Sequence, residues 1–126
     1  MKDGRDKNGS TMKAVVIESG TIQVKNVPKP GVSADEALIK VLKAGICNTD
    51  LELVKGYMNF EGILGHEFVG KIEYAAFQEW IGKRIVGEIN LYCGQCELCR
   101  AGMMKHCSKR AVSGILNKDG VFAEYL

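Results

Sequence analysis

Leu91-Tyr92-Cys93-Gly94-Gln95-Cys96-Glu97-Leu98-Cys99-Arg100-Ala101-Gly102-Met103-Met104-Lys105-His106-Cys107-Ser108-Lys109-Arg110 is unlike any other stretch of this chain. Four cysteines fall within 15 residues, spaced Cys93-x2-Cys96-x2-Cys99-x7-Cys107. The segment is rich in Cys, Lys and Gly and poor in aliphatic side chains, so it cannot hold itself together by apolar burial. Zinc favours four soft ligands in a tetrahedron, and closely spaced cysteines in turns can present their thiolates to one ion. A closed four-thiolate shell leaves no position for water or substrate. Such a site is structural, and its filling is coupled to folding of the loop. Arg100, Lys105, His106, Lys109 and Arg110 surround the cysteines, against the single acid Glu97. Cations of that kind stabilise thiolates. The competing readings are free or disulfide-paired thiols and an iron–sulfur cluster. The bacterial ferredoxin run closes on a three-residue gap and a proline, whereas the last gap here spans seven residues with no proline after it.

Outward from this segment the pattern is β. Ala14-Val15-Val16-Ile17 is a short β-branched run, and Thr21 to Val27 alternates with period two across a Ser19-Gly20 turn. Pro28-Lys29-Pro30-Gly31 breaks the chain. Residues 37–43, 68–74, 84–89 and 121–126 read as further strands, and 49–54 as a short helix with Thr49 or Asp50 as its cap. Many short strands, 15 glycines and little helix predict a mostly β, barrel-like domain over residues 12–126. Met1 to Thr11 is polar and charged, and Gly9-Ser10 resembles a cloning remnant. This segment is expected to be a disordered lead-in or tag.

Charge excludes some partners. Seventeen Lys and Arg against fifteen Asp and Glu give a formal net charge of +2, too balanced to argue for nucleic acid or an anionic membrane. No apolar run approaches the roughly 18 residues that span a bilayer, and the N-terminus has no apolar signal stretch. A cytoplasmic protein is expected. In a reducing compartment its five cysteines read as ligands or free thiols rather than disulfides.

A second constellation lies upstream. Cys47 sits in Gly45-Ile46-Cys47-Asn48-Thr49-Asp50, and His66 in Gly65-His66-Glu67-Phe68-Val69-Gly70. Either residue alone reads more simply as part of a core. Together with a carboxylate such as Glu67 they offer the mixed S, N and O donor set of a catalytic zinc with one open position. Thr49 places a hydroxyl two residues from Cys47. Asp50 is placed to accept a hydrogen bond from the second nitrogen of His66, the usual support of a ligating imidazole.

Three motifs in this order carry a resemblance. Gly45-Ile46-Cys47-Asn48-Thr49-Asp50 resembles the G-I-C-x-[ST]-D segment of zinc-dependent medium-chain alcohol dehydrogenases. Gly65-His66-Glu67-x-x-Gly70 resembles their G-H-E-x-x-G, and the four-cysteine run has the gaps of their structural-zinc lobe. The resemblance covers Met12 to Leu126 and implies the GroES-like catalytic domain, a partly open β-barrel with short helices and a zinc-binding lobe. It implies structural zinc on Cys93, Cys96, Cys99 and Cys107. It implies catalytic zinc on Cys47 and His66, with Glu67 as a third ligand or a supporting acid. Thr49 would bond the substrate hydroxyl. The substrate would be a small alcohol or polyol, oxidised by NAD or NADP, in a parent enzyme that is a homo-oligomer. The chain has no G-x-G-x-x-G, so no cofactor-binding residue is assigned and the separate chain is expected to be inactive. The alternative function is a zinc-stabilised β module that binds protein or nucleic acid. Against it, no aromatic residue interleaves with the lobe's basic residues. A zinc-free quinone reductase of the same superfamily has no use for the lobe.

Overall fold

The computed structural model describes residues 9–126, and most of the expected lead-in lies outside the described residues. Strand β1 (Thr11–Glu18) turns through Ser19 and Gly20 into β2 (Thr21–Pro28). Both turn residues have positive φ, 51° and 73°, the backbone twist that suits a two-residue hairpin. The ladder runs in register from Thr11 opposite Pro28 to Glu18 opposite Thr21. Thr11, expected to end the lead-in, is thus the first residue of the sheet.

A second antiparallel pair follows. Strand β3 (Leu38–Gly45) lies against β5 (Glu67–Tyr74), and between them come helix α1 (Asn48–Val54) and the two-residue strand β4 (Gly62–Ile63). Strand β4 adds to β1, giving sheet order β2-β1-β4. Strand β6 (Arg84–Ile85) adds to β5, giving β3-β5-β6. The strand expected over 84–89 therefore stops early. Beyond Ile85 the chain leaves the ladder, and Gly87 passes the Phe68 ring at a distance that leaves no room for a Cβ.

The run 121–126, expected as an ordinary strand, has a more specific task. Its backbone bonds to both sheets. Val15 N–H donates to the Phe122 carbonyl at 2.8 Å and Glu124 N–H to Lys13 at 3.2 Å. On its other side, Val41 N–H donates to Glu124 at 3.0 Å, and Ile39 and Leu126 exchange two bonds of 2.9 Å. This segment joins β1 to β3 and wraps the two sheets into a partly open barrel.

Alternation along β1 puts Met12, Ala14 and Val16 into one apolar cluster with Ile63. Ile17 belongs to a second cluster with Leu53 of α1, Phe60 and Leu64. The region from Leu91 to Arg110 stands apart from both. It holds α2 (Glu97–Arg100) and is closed by the short pair β7 (Asn90–Leu91) and β8 (Ala111–Val112). Among its residues only Cys99 and Cys107 are buried.

Candidate metal centres

The four lobe sulfurs converge, all within 4.8 Å of one another. Cys107 Sγ is 3.6 Å from Cys93 Sγ and 3.9 Å from Cys96 Sγ. A ZnS4 tetrahedron with bonds of about 2.3 Å has edges of about 3.8 Å, whereas a disulfide needs about 2.05 Å. All five cysteines are free. The spacing fits four thiolates around one ion and rules out paired disulfides.

The surrounding backbone favours the anionic form of two of the sulfurs, Cys93 and Cys96. Cys96 N–H donates to Cys93 Sγ at 3.3 Å, and Cys93 N–H reaches Cys107 Sγ at 3.5 Å. N–H groups of Gln95 and Cys96 hold the Cys93 thiol below its ordinary value. The N–H of Cys99, at the start of α2, draws Cys96 down to about 6. Burial pushes Cys99 up to about 12. A divalent cation would relieve that burial cost by replacing a proton with metal charge. The basic residues expected to neutralise the cluster lie at its exposed rim, where Arg110 Nη1 donates to the Lys105 carbonyl at 3.3 Å.

The second constellation also comes together. One ligand atom each from Cys47, His66 and Glu67 lies within 4.8 Å of the other two. Three local features deliver them. Strand β3 ends at Gly45, and Cys47 is the N-cap of α1, where the chain turns into the helix. Thr49 and Asp50 are thus inside the helix rather than its cap. Asp50 nevertheless serves the helix end, since its Oδ2 accepts the Cys47 N–H at 2.8 Å. Glu67 opens β5 directly opposite Gly45, and the missing side chain of that glycine leaves room for the Glu67 carboxylate.

Asp50 touches both ligand residues. Its Oδ1 lies 3.3 Å from His66 Nδ1, with the two side chains 4% and 6% exposed. The contact is within ion-pair reach but outside hydrogen-bond geometry, and neither atom has another partner. Burial without full satisfaction is costly for both groups. The arrangement leaves Nε2 as the imidazole's free donor and fits a ligating histidine steadied by a carboxylate. Thr49 Oγ1 is 3.7 Å from Cys47 Sγ, so its hydroxyl borders the same space. Zinc fits the donor set. Thiolate, imidazole and carboxylate are its usual protein ligands, and three of them leave a fourth position open.

Ligand-seeking in the sequence missed what frames His66. Gly65, immediately before it, has φ +98°, and a Cβ there would strike the Phe122 ring. Gly114 and Gly120 in turn pack directly on the backbone of residues 64 and 65. The only sequence signal was the glycines themselves, which carry no side chain to ligate a metal.

Comparison with known proteins agrees with this geometry. Residues 33–126 match the alcohol dehydrogenase GroES-like domain family. An L-threonine 3-dehydrogenase of Streptomyces avermitilis is 37% identical over 127 aligned residues, covering 91% of this chain and 36% of that protein. A protein described as a zinc-binding dehydrogenase from Sinorhizobium meliloti 1021, solved with NADP, superposes with TM-score 0.81 at 42% identity, covering 93% of this chain and 36% of the other. Alcohol dehydrogenase TADH from Thermus sp. ATN1 gives TM-score 0.78 at 36% identity, over 91% and 36% of the two chains. The chain thus spans about a third of the length of the relatives it matches, and the alternative of a protein- or nucleic-acid-binding module is not favoured. It belongs to the alcohol dehydrogenase GroES-like domain family.

Proposed function

We propose that this chain is the catalytic-domain portion of a zinc-dependent, NAD(P)-linked alcohol or polyol dehydrogenase, with a structural zinc in the cysteine lobe and a catalytic zinc on Cys47, His66 and Glu67. The convergence of those three side chains beside buried Asp50 carries the reading. Zinc bound there supplies a Lewis acid that lowers the pKa of an alcohol hydroxyl. The chain's own residues do the rest of the work on the alcohol side. Asp50 holds the backbone N–H of Cys47 and sets a carboxylate oxygen beside His66 Nδ1. Thr49 Oγ1 accepts a hydrogen bond from the substrate's hydroxyl and positions its oxygen. NAD or NADP accepts the hydride, and no dinucleotide fingerprint occurs in these 126 residues. The threonine dehydrogenase relatives favour a small substrate with a secondary hydroxyl. A homo-oligomeric full-length enzyme is part of this proposal. A cytoplasmic location is supported by five free thiols, and among the described residues no helix is long and apolar enough to cross a membrane.

Metal analysis of the reduced, purified chain tests this. Two zinc ions per chain are expected, falling to one in Cys47→Ser. A wild-type content of one, unchanged by Cys47→Ser, would remove the catalytic site. The 126-residue chain alone is expected to oxidise no alcohol with NAD or NADP, and measurable turnover would overturn the division of labour described above.

A further inference from the structure

Gly65 is enclosed by two other buried glycines. A Cβ on Gly114 would collide with the oxygen, nitrogen and carbonyl carbon of Gly65. A Cβ on Gly120 would collide with the Gly65 oxygen and the Leu64 carbonyl. The contacts are between backbones, so nothing flexible can move aside. Hydrogen bonds lock the same layers. Gly120 N–H donates to Ile63 at 2.7 Å, Phe122 N–H to Leu64 at 2.8 Å and Val121 N–H to Gly65 at 3.0 Å. Asp119 Oδ1 accepts the Ile63 N–H at 2.8 Å, and Ser113 Oγ bonds the Asp119 carbonyl at 3.3 Å. On its other flank, Leu64 N–H donates to Val15 of β1 at 3.1 Å. The three residues before His66 are therefore held from both sides, and the imidazole has little freedom to leave Cys47 and Glu67.

We propose that Gly114 and Gly120 are positioning residues for His66, acting through Gly65 to aim the imidazole at the metal site. This deepens the function proposed above and rests on it. Gly114 also ties the two metal regions together. It lies seven residues beyond Cys107 and follows β8, the strand on which the chain leaves the lobe, and Ser113 N–H donates to Ile89 at 3.0 Å. An ordered lobe exit is thus part of what delivers Gly114 to Gly65.

The test uses two readouts on the whole chain. The sequence has only two histidines, and His106 is exposed, so the imidazole resonances of buried His66 are separable by NMR. In zinc-loaded-lobe protein without a second metal, Gly120→Ala and the milder Asp119→Ala are expected to move the His66 signals toward those of His106. Gly102→Ala is the control. Its backbone is also left-handed, φ +77°, but no atom lies within 4 Å of the added methyl, so it should leave His66 unmoved. Titration with cobalt(II) should then show second-site affinity at least ~10-fold weaker in Gly120→Ala and Asp119→Ala, the size expected when support of a ligand is lost. Unmoved His66 signals and unchanged cobalt affinity in both variants would overturn the proposal. If Gly120→Ala fails to fold, Asp119→Ala decides alone, because it adds no atom and removes one acceptor, that of the Ile63 N–H. A wild-type chain that binds no second cobalt would sink the proposed catalytic site, while the NMR comparison would still judge the positioning role.

Discussion

Cys93, Cys96, Cys99 and Cys107 are neighbours along the chain, whereas Cys47, His66 and Glu67 meet only because β3, α1 and β5 bring them together. The two clusters offer overlapping chemistry on opposite foundations. The lobe has local spacing and almost no core, and its sulfurs have only each other and nearby N–H groups to hold them. The upstream cluster stands on a packed frame. Leu53 of α1 and Leu64, two residues before His66, are each 1% exposed in one apolar cluster. A metal would therefore build the first site and merely enter the second. Zinc removal and single substitutions separate these two cases.

The largest effect is expected from a chelator under reducing conditions. Structural zinc binding in small domains carries about 10–16 kcal/mol at neutral pH, and nothing within 91–110 matches that. Amide-exchange protection should vanish across the lobe and persist in β1, β3 and β5. Cys93→Ser should reproduce much of this loss without chelator. A stripped protein whose lobe stayed protected would erase the contrast, because the lobe would then have a foundation of its own.

Next comes the frame of the second cluster. Gly65→Ala combines a strained left-handed backbone with a clash against Phe122. Strain and overpacking of this kind sum to about 3 kcal/mol. The denaturation midpoint should fall accordingly with zinc in excess, while the lobe keeps its metal. A loss under about 0.5 kcal/mol, within the scatter of ordinary surface changes, would mean that the chain around His66 is far less constrained than its backbone contacts imply.

These unequal foundations also explain what could be read from sequence. The lobe was legible because its whole donor set lies in 15 residues, and spacing alone argues for one ion. Cys47 and His66 were weak signals separately and gained weight first as a joint donor set and then by resemblance, since no local pattern says that β3 and β5 pair Gly45 with Glu67. The strand tendency of 121–126 was visible. Its place between two sheets was not, because that depends on bonds to Lys13 and Ile39, more than eighty residues away. Gly114 and Gly120 were invisible for a similar reason. A glycine needed for a distant backbone's approach looks like any turn glycine until the partner is known.

A smaller and more selective effect is expected from Asp50→Asn. The carboxylate presents one oxygen to the Cys47 N–H and the other to His66 Nδ1. An amide has only one oxygen, so one of the two groups must face an NH2 instead. Affinity of the upstream site for cobalt should drop 10- to 100-fold, about 1.4–2.7 kcal/mol, with the lobe's affinity unchanged. Equal weakening at both sites would point to general loosening of the fold and blur the distinction between them.

The smallest effect on stability, and the sharpest on metal content, is expected from Cys47→Ser. The Cys47 side chain is half-buried, and its sulfur lies 3.7 Å from the Thr49 hydroxyl and faces the N–H of Asp50 across a capping box, contacts that a serine hydroxyl can also make. The bond that shapes this end of α1 uses the backbone N–H of Cys47, which serine retains. Exchange of sulfur for oxygen should therefore cost under about 1 kcal/mol, because serine is itself a favoured N-cap residue. The same exchange should abolish the second metal equivalent, because the soft thiolate is gone from a three-donor set that has no spare ligand. If Cys47→Ser instead unfolded the barrel while leaving metal content alone, the sulfur would be a packing atom, and the upstream cluster would lose its claim to be a site that the fold prepares in advance.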